Sequence, residues 1–280
     1  MRRHALFALA ALVASAMPAF ADGMDKHSPV MQNFYGPTYS HNIFMGGEVA
    51  RDSWEGYMGT VMAVNRDLSK NGVLLRAMGT FGRYDYTIEG CASCVPGPNN
   101  FDGRVWQGDA MIGYQWVRQQ FDMAIYAGLD VQNHRISPDQ TLDENPVQGS
   151  ETGFKVALEL ESHRHSGQPL YYALEGAYST AFDTWYAMGR IGGNRNGHIL
   201  GVEGWLLGDE TGDAQRLGAF LTFDRQLRPD LLAEFTFSAG YQFTEDELAR
   251  LCGSFFGSEG AYATLNVSFF FGDRHRPLKP

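Results

Sequence analysis

The 280-residue chain contains only three cysteines, Cys91, Cys94 and Cys252. That is too few for a disulfide-built scaffold, so the fold must stand on hydrogen-bonded secondary structure. Positive charge is also short: 22 Lys and Arg face 32 Asp and Glu, a net charge of −10. Nucleic acid and anionic lipid surfaces require clustered cations, and this balance argues against both as partners. Beyond residue 21 the chain lacks any apolar run approaching the roughly 20 residues of a membrane helix, so insertion into a bilayer must use strands. A mean hydropathy of −0.27 is compatible with that, because only alternate residues of such a strand meet lipid. No Pro- or Ser-rich linker divides the sequence, which reads as one domain.

What is present first is an export signal. Arg2 and Arg3 precede an almost wholly apolar stretch, Ala5 to Ala16, and Ala19-Phe20-Ala21 has the small-x-small form that signal peptidase cuts. The apolar run is too short for an anchor and Pro18 interrupts it. Cleavage after Ala21 leaves 20 basic and 32 acidic side chains, a mature charge of −12. The domain plan is therefore a signal peptide at 1–21, an N-terminal extension at 22–37, a barrel at 38–271 and a polar tail at 272–280.

The second feature is strict alternation. From Phe121 to Val131, Phe121, Met123, Ile125, Ala127, Leu129 and Val131 share one face, and Asp122, Ala124, Tyr126, Gly128 and Asp130 the other. About 12 such segments can be counted, each near the 9 to 11 residues that cross a bilayer at a tilt. The first five run from about Tyr39 to Val49, Tyr57 to Asn65, Val73 to Tyr84, Val105 to Trp116 and Phe121 to Val131. The rest are marked by the apolar faces around Leu158, Leu174, Ala187, Val202, Leu221, Phe237 and Val267. Aromatics gather at the segment ends, as interfacial girdles do.

Connections support the same reading. With the N-terminus in the periplasm, the inner turns are Asp67 to Asn71, Val117 to Gln120, His163 to Pro169, Gly193 to Gly197 and Arg225 to Asp230, all compact. The three longest connections, Thr87 to Gly103, Arg135 to Ser150 and Thr244 to Gly260, all fall on the outer side, which is the alternation expected of a membrane barrel. The fold class is all-β: a closed antiparallel up-and-down β-barrel of outer-membrane type with about 12 strands. A soluble periplasmic barrel of lipocalin type, apolar inside, is the rival that periodicity alone does not separate.

If the apolar faces meet lipid, the opposite faces send Arg76, Asp109, Asp130, Lys155, Glu159, Glu175, Arg190, Glu203, Arg216 and Glu234 into a narrow lumen, where opposite charges pair and fill the space. The functional alternative is a polar lining for a small or linear solute. His134, Ser137 and Asp139 lie within six residues and invite comparison with a nucleophilic triad. Pro138 holds Ser137 extended, and no Gly-x-Ser-x-Gly elbow accompanies them, so a turn serine and a girdle histidine are expected instead. His163 and His165 have no third ligand in sight for a metal. Cys91-x-x-Cys94 sits in an outer loop, where a local disulfide is the plain reading beside a zinc or redox pair; Cys252, on the same side, is an alternative partner. No cofactor is implied.

The segment Ala127-Gly-Leu-Asp-Val-Gln-Asn-His-Arg-Ile-Ser-Pro-Asp-Gln140 resembles the BcsS-type cellulose biosynthesis proteins of alphaproteobacteria, which carry Gly-x-Asp-x-Gln-x-His followed by Ser-Pro-Asp. The resemblance continues through Gly176-Ala-Tyr-Ser-Thr180, Trp185-Tyr-Ala187, Gly201-Val-Glu-Gly204 and the closing hairpin. It departs at the Cys91 to Asn99 loop and the Met-rich start. The resemblance implies an exported accessory of cellulose synthesis or secretion, with cellulose or other synthesis components as partners and no catalytic residues to carry over. A lipid-modifying barrel enzyme and a soluble periplasmic binding barrel are the competing classes.

The expected mature protein begins at Asp22, fractionates with the outer membrane and shifts its gel mobility on boiling, because closed barrels resist detergent until heated. N-terminal sequencing and fractionation check this; recovery in the soluble periplasm without a heat shift would return the chain to the lipocalin type.

Overall fold

In the computed structural model the described residues are 38–87, 100–137, 147–163, 168–210, 212–244 and 259–272. The signal segment, Cys91, Cys94, Cys252, Asp139 and His165 lie outside them. The described chain forms twelve strands: β1 Tyr39–Ala50, β2 Ser53–Ala63, β3 Gly72–Thr87, β4 Asn100–Val117, β5 Phe121–Ser137, β6 Gly149–Ser162, β7 Leu170–Ser179, β8 Trp185–Arg195, β9 His198–Gly208, β10 Asp213–Arg228, β11 Leu231–Thr244 and β12 Gly260–Gly272. Each pairs antiparallel with its sequence neighbour, and β1 pairs with β12 from Tyr39↔Gly272 to Val49↔Ala263, so the sheet closes into a barrel. Closure removes every edge, and backbone polar groups find partners within the wall.

Side-chain direction follows the register without a break in parity. The row Glu48, Glu55, Gly82, Val105, His134 and Gly149 steps across β1 to β6 on one face. Outward from that same wall point Met58, Ile112, Ile125, Leu129, Val202, Leu217, Leu221 and Phe237, all exposed, with Leu129 at 63% and Leu217 at 63%. The inward face holds buried Arg76, Asp109, Asp130, Gln132, Lys155, Glu203 and Gln242. A soluble barrel has the reverse arrangement. An apolar exterior with a polar interior is the order expected where hydrocarbon is the solvent.

Aromatics ring both ends of this apolar band. Trp54 packs edge-on to Phe81, centroids 5.8 Å apart, and Phe81 is in register with Trp106. Toward the other end Tyr114 meets Trp116 at 4.9 Å, and Phe223 stacks on Phe235 at 5.3 Å. Beyond the first ring the outward face turns polar: Arg83 reaches Asp102 at 2.6 Å, and Arg104 lies 3.9 Å from the same residue. Here β3, β4 and β5 continue to 16, 18 and 17 residues. The sequence expectation ended them at the apolar alternation, but a backbone ladder does not stop where lipid does.

Two further boundaries differ from expectation. The second strand begins at Ser53 rather than Tyr57, because a two-residue turn, Arg51-Asp52, lets the hairpin zip from Ala50↔Ser53. Tyr57 consequently points inward, opposite Gly46, whose backbone leaves room for its ring. The expected turn Arg225 to Asp230 is mostly strand: β10 runs to Arg228 with a register shift at Gln226/Arg228, leaving Pro229-Asp230 as the turn. The β8–β9 turn is likewise two residues long, with Asn196 at φ 55° and Gly197 at φ 82°, the positive-φ pair of a type I′ hairpin.

The β2–β3 connection does more than reverse the chain. Leu68 packs against the interior cluster of Leu74, Met111 and Tyr126, and Gln115 donates to the Leu68 carbonyl at 2.6 Å. Burial raises the Asp67 carboxyl, but hydrogen bonds from Lys70 and Ser69 outweigh it and hold its pKa below the usual carboxylate value. At the short-turn end of the barrel this turn thereby tucks inward against the wall.

Arginine at Leu221 or Phe237, mid-wall and outward, should cost about 2 to 4 kcal/mol in barrel refolding, whereas arginine at Phe243, by the outer ring, should cost about 0 to 1. Urea titration of refolded protein in lipid vesicles measures both; equal costs at the two depths would overturn the lipid-facing assignment.

Candidate functional site: the barrel interior

An interior lined by polar side chains has to satisfy them without bulk water, so partners are sought across the lumen as well as along each strand. Two clusters do so. In the first, Arg76 from β3 meets Glu159 from β6 at 3.0 Å, and its guanidinium lies 5.5 Å over the Tyr126 ring of β5. The Tyr126 hydroxyl donates to the second oxygen of Glu159 at 3.2 Å, and Tyr186 of β8 faces the same guanidinium. Strands five apart in a twelve-stranded wall are thus joined through side chains.

The second cluster centres on Glu203 of β9, whose side chain is 0% exposed. Arg190 of β8 pairs with it at 2.8 Å, Ser238 of β11 donates at 2.9 Å, and the Tyr262 hydroxyl of β12 donates at 2.9 Å. Beside it Arg216 holds both oxygens of Glu48 at 2.6 Å and donates to Gln242 at 2.8 Å, with its plane 5.2 Å from Tyr262. A bidentate fork of this kind suits arginine and not lysine. Elsewhere Lys155 reaches Asp109 at 2.7 Å, and Gln132 donates to Asp130 at 2.8 Å and to Thr184 at 2.7 Å.

All ten charged residues singled out in the sequence lie on the inward face. Glu175 stands in register with Glu159 and Met188, and Glu234 with Asp224 and Ser268 near the short-turn end. Glu48 and Glu55 were missed. The alternation of Met45, Gly47 and Val49 against Glu48 was available to place the first; the second was lost when its strand was begun at Tyr57.

His134 is corrected. It faces the lumen mouth rather than the girdle, with Nδ1 3.3 Å from the Tyr84 hydroxyl and its ring 5.2 Å from Phe182. Ser137, three residues on, falls on the opposite, exposed face. The two do not converge on a reacting atom. His163 gives Nε2 to Asp122 at 3.0 Å; that hydrogen bond raises the imidazole pKa above its usual value despite partial burial.

Phe182 is held by a short 3-10 turn, Ala181–Asp183, between β7 and β8, in which Phe182 and Asp183 take φ 51° and 48°. Such strain persists only where surroundings over-determine it. Here the Phe182 N–H donates to Glu151 at 2.9 Å, Ser179 Oγ accepts from the Ala181 N–H at 3.1 Å, and Gly153 leaves no space for a Cβ against Ala181.

An apolar outer wall around a charged, cross-linked interior defines an outer-membrane-type β-barrel. The chain belongs to the cellulose biosynthesis protein BcsS family, whose model matches residues 42–271. No curated protein is significantly similar to it. Among solved structures it is similar to the β domain of the Bordetella autotransporter Brka, at 9% identity and TM-score 0.47, covering 84% of this chain and 100% of that one. It is also similar to the KdgM porin, at 8% identity and TM-score 0.40, covering 82% and 99%.

Removing Glu203 alone, as Glu203→Leu, should destabilise the barrel by about 3 to 5 kcal/mol, because Arg190 is left buried without its partner. Adding Arg190→Met should restore most of the loss in the same urea titration; additive losses would mean the pair is not coupled.

Proposed function

We propose that the protein is a non-catalytic accessory of bacterial cellulose production or secretion, seated in the outer membrane. Family membership carries the cellulose link. The exposed apolar wall, bounded by aromatic rings, supports the membrane seat, with outer-membrane lipid as the surrounding partner and cellulose or other synthesis components as the working ones. The inward charges act as a structural network rather than as a solute lining, since eight of the residues in the clusters above already bind one another. A non-catalytic role is favoured by the opposed directions of His134 and Ser137, which leave the comparison with a nucleophilic triad without geometry. The loop pair Cys91 and Cys94 is proposed to form a local disulfide on the outer side.

Deleting the gene should lower or relocate cell-surface cellulose, measured by dye binding and by quantifying the polymer. A variant with His134→Ala and Ser137→Ala should restore it, and one lacking the connection between β5 and β6 should restore it poorly, because long outer loops are where such barrels meet partners. Unchanged cellulose in the deletion strain would break the link, and failed rescue by the double variant would reinstate the enzyme.

A further inference from the structure

Above the two charged clusters, toward the end where β3, β5 and β11 finish in long connections, the interior opens into a cavity of about 310 Å³. Its floor is the cluster layer itself: Arg216, Lys155 and Tyr186 contribute to the lining. Below that layer the β2–β3 turn tucks inward, through Leu68 and its bond from Gln115. Among the described residues the geometry is a vestibule above the cluster layer.

The chemistry of its wall is selective. The three lining cations are already matched, Arg216 by Glu48, Lys155 by Asp109 and Arg83 by Asp102. Glu55, next to Glu48 across β1 and β2, opens onto the cavity and takes no hydrogen bond among the described residues. Gln107, two strands away, is likewise uncommitted there. A carboxylate offers only acceptors, and an amide offers both acceptor and donors. Together they satisfy the hydroxyls of a polyol, and an acidic ligand would meet an unmatched carboxylate. Tyr84 and Tyr186 add ring faces on which the C–H side of a pyranose packs. The volume sits at the small end of ligand pockets and fits a short stretch of sugar chain. The strained Phe182 turn, tied to Glu151 and to Gln132, holds one wall in place before any ligand arrives.

We infer that this vestibule binds a short segment of neutral β-linked glucan at the outer mouth, so that the protein holds polymer without conducting it. This rests on the cellulose role proposed above. Full-length mature barrel, refolded in detergent, is titrated with cellotetraose in a calorimeter. Saturable binding is expected, with none for an oligogalacturonate of equal length. Glu55→Gln and Gln107→Leu should each weaken it about tenfold, the scale of one lost hydrogen bond to a charged or well-placed polar group. Retained heat-modifiability shows that each variant is folded, and Glu55→Asp serves if Glu55→Gln is not. Absence of saturable cellotetraose binding, equal binding of the acidic sugar, or wild-type affinity in both variants overturns the inference. If deletion leaves cellulose unchanged while cellotetraose still binds, the cellular role falls and the site stands. If deletion lowers cellulose and nothing binds, the site alone falls.

Discussion

The rest of the structure depends on a single constraint: hydrocarbon offers no hydrogen bonds. A wall immersed in it must close on itself, which the β1–β12 pairing achieves. Every second side chain must then be apolar, which leaves the remaining half of each strand facing a space too narrow for bulk water. Apolar matter goes outward, so the interior becomes the place where polarity has to be resolved. The ion pairs are in this sense a consequence of the solvent outside. Phe220, Ile199 and Tyr171 form an inner apolar patch, but it is small beside the charged clusters.

Burying charge carries a desolvation cost that a single contact rarely offsets. The interior answers with multiplicity: Glu203 receives an arginine, a serine and a tyrosine, and Arg216 engages a carboxylate, an amide and an aromatic ring. Such groupings also fix strand order. Residues joined across β9, β11 and β12, or across β3, β5 and β6, are satisfied in one register only, since a slip of one residue would turn them out to lipid.

The wall was legible because its signal is local. Alternation from Phe121 to Val131 needs no knowledge of any other strand, and the parity it sets carries forward to place Asp130, Gln132 and His134 inside. Where the exterior ceases to be lipid, the signal disappears while the ladder persists, and so the outer ends of β3 and β4 were cut short. Tertiary choices were hidden for a different reason. That Arg76 meets Glu159 and not the nearer Asp109 depends on how far a side chain reaches across a curved wall, a quantity absent from any one strand. The inward tuck of Leu68 and the positive φ of Phe182 likewise left no mark, since neither a leucine in a turn nor a phenylalanine before an aspartate is unusual. The position of His134 was recoverable: extending the alternation by three residues would have taken it off the girdle.

A filled interior also bears on what such a barrel can transport. A polymer threading it would have to displace the Arg76–Glu159 and Arg190–Glu203 groups, and each partner left alone in that environment costs about 3 to 5 kcal/mol. Hydroxyl groups hydrogen-bond charges, but a neutral sugar does not replace a bidentate counter-ion. Holding the clusters closed while offering an open, partly unmatched surface above them therefore requires less of the structure than opening a path through it. The strands supply the rigidity for this arrangement: the vestibule residues Glu55, Gln107 and Tyr84 stand on the ladder rather than on loops, where register fixes their spacing.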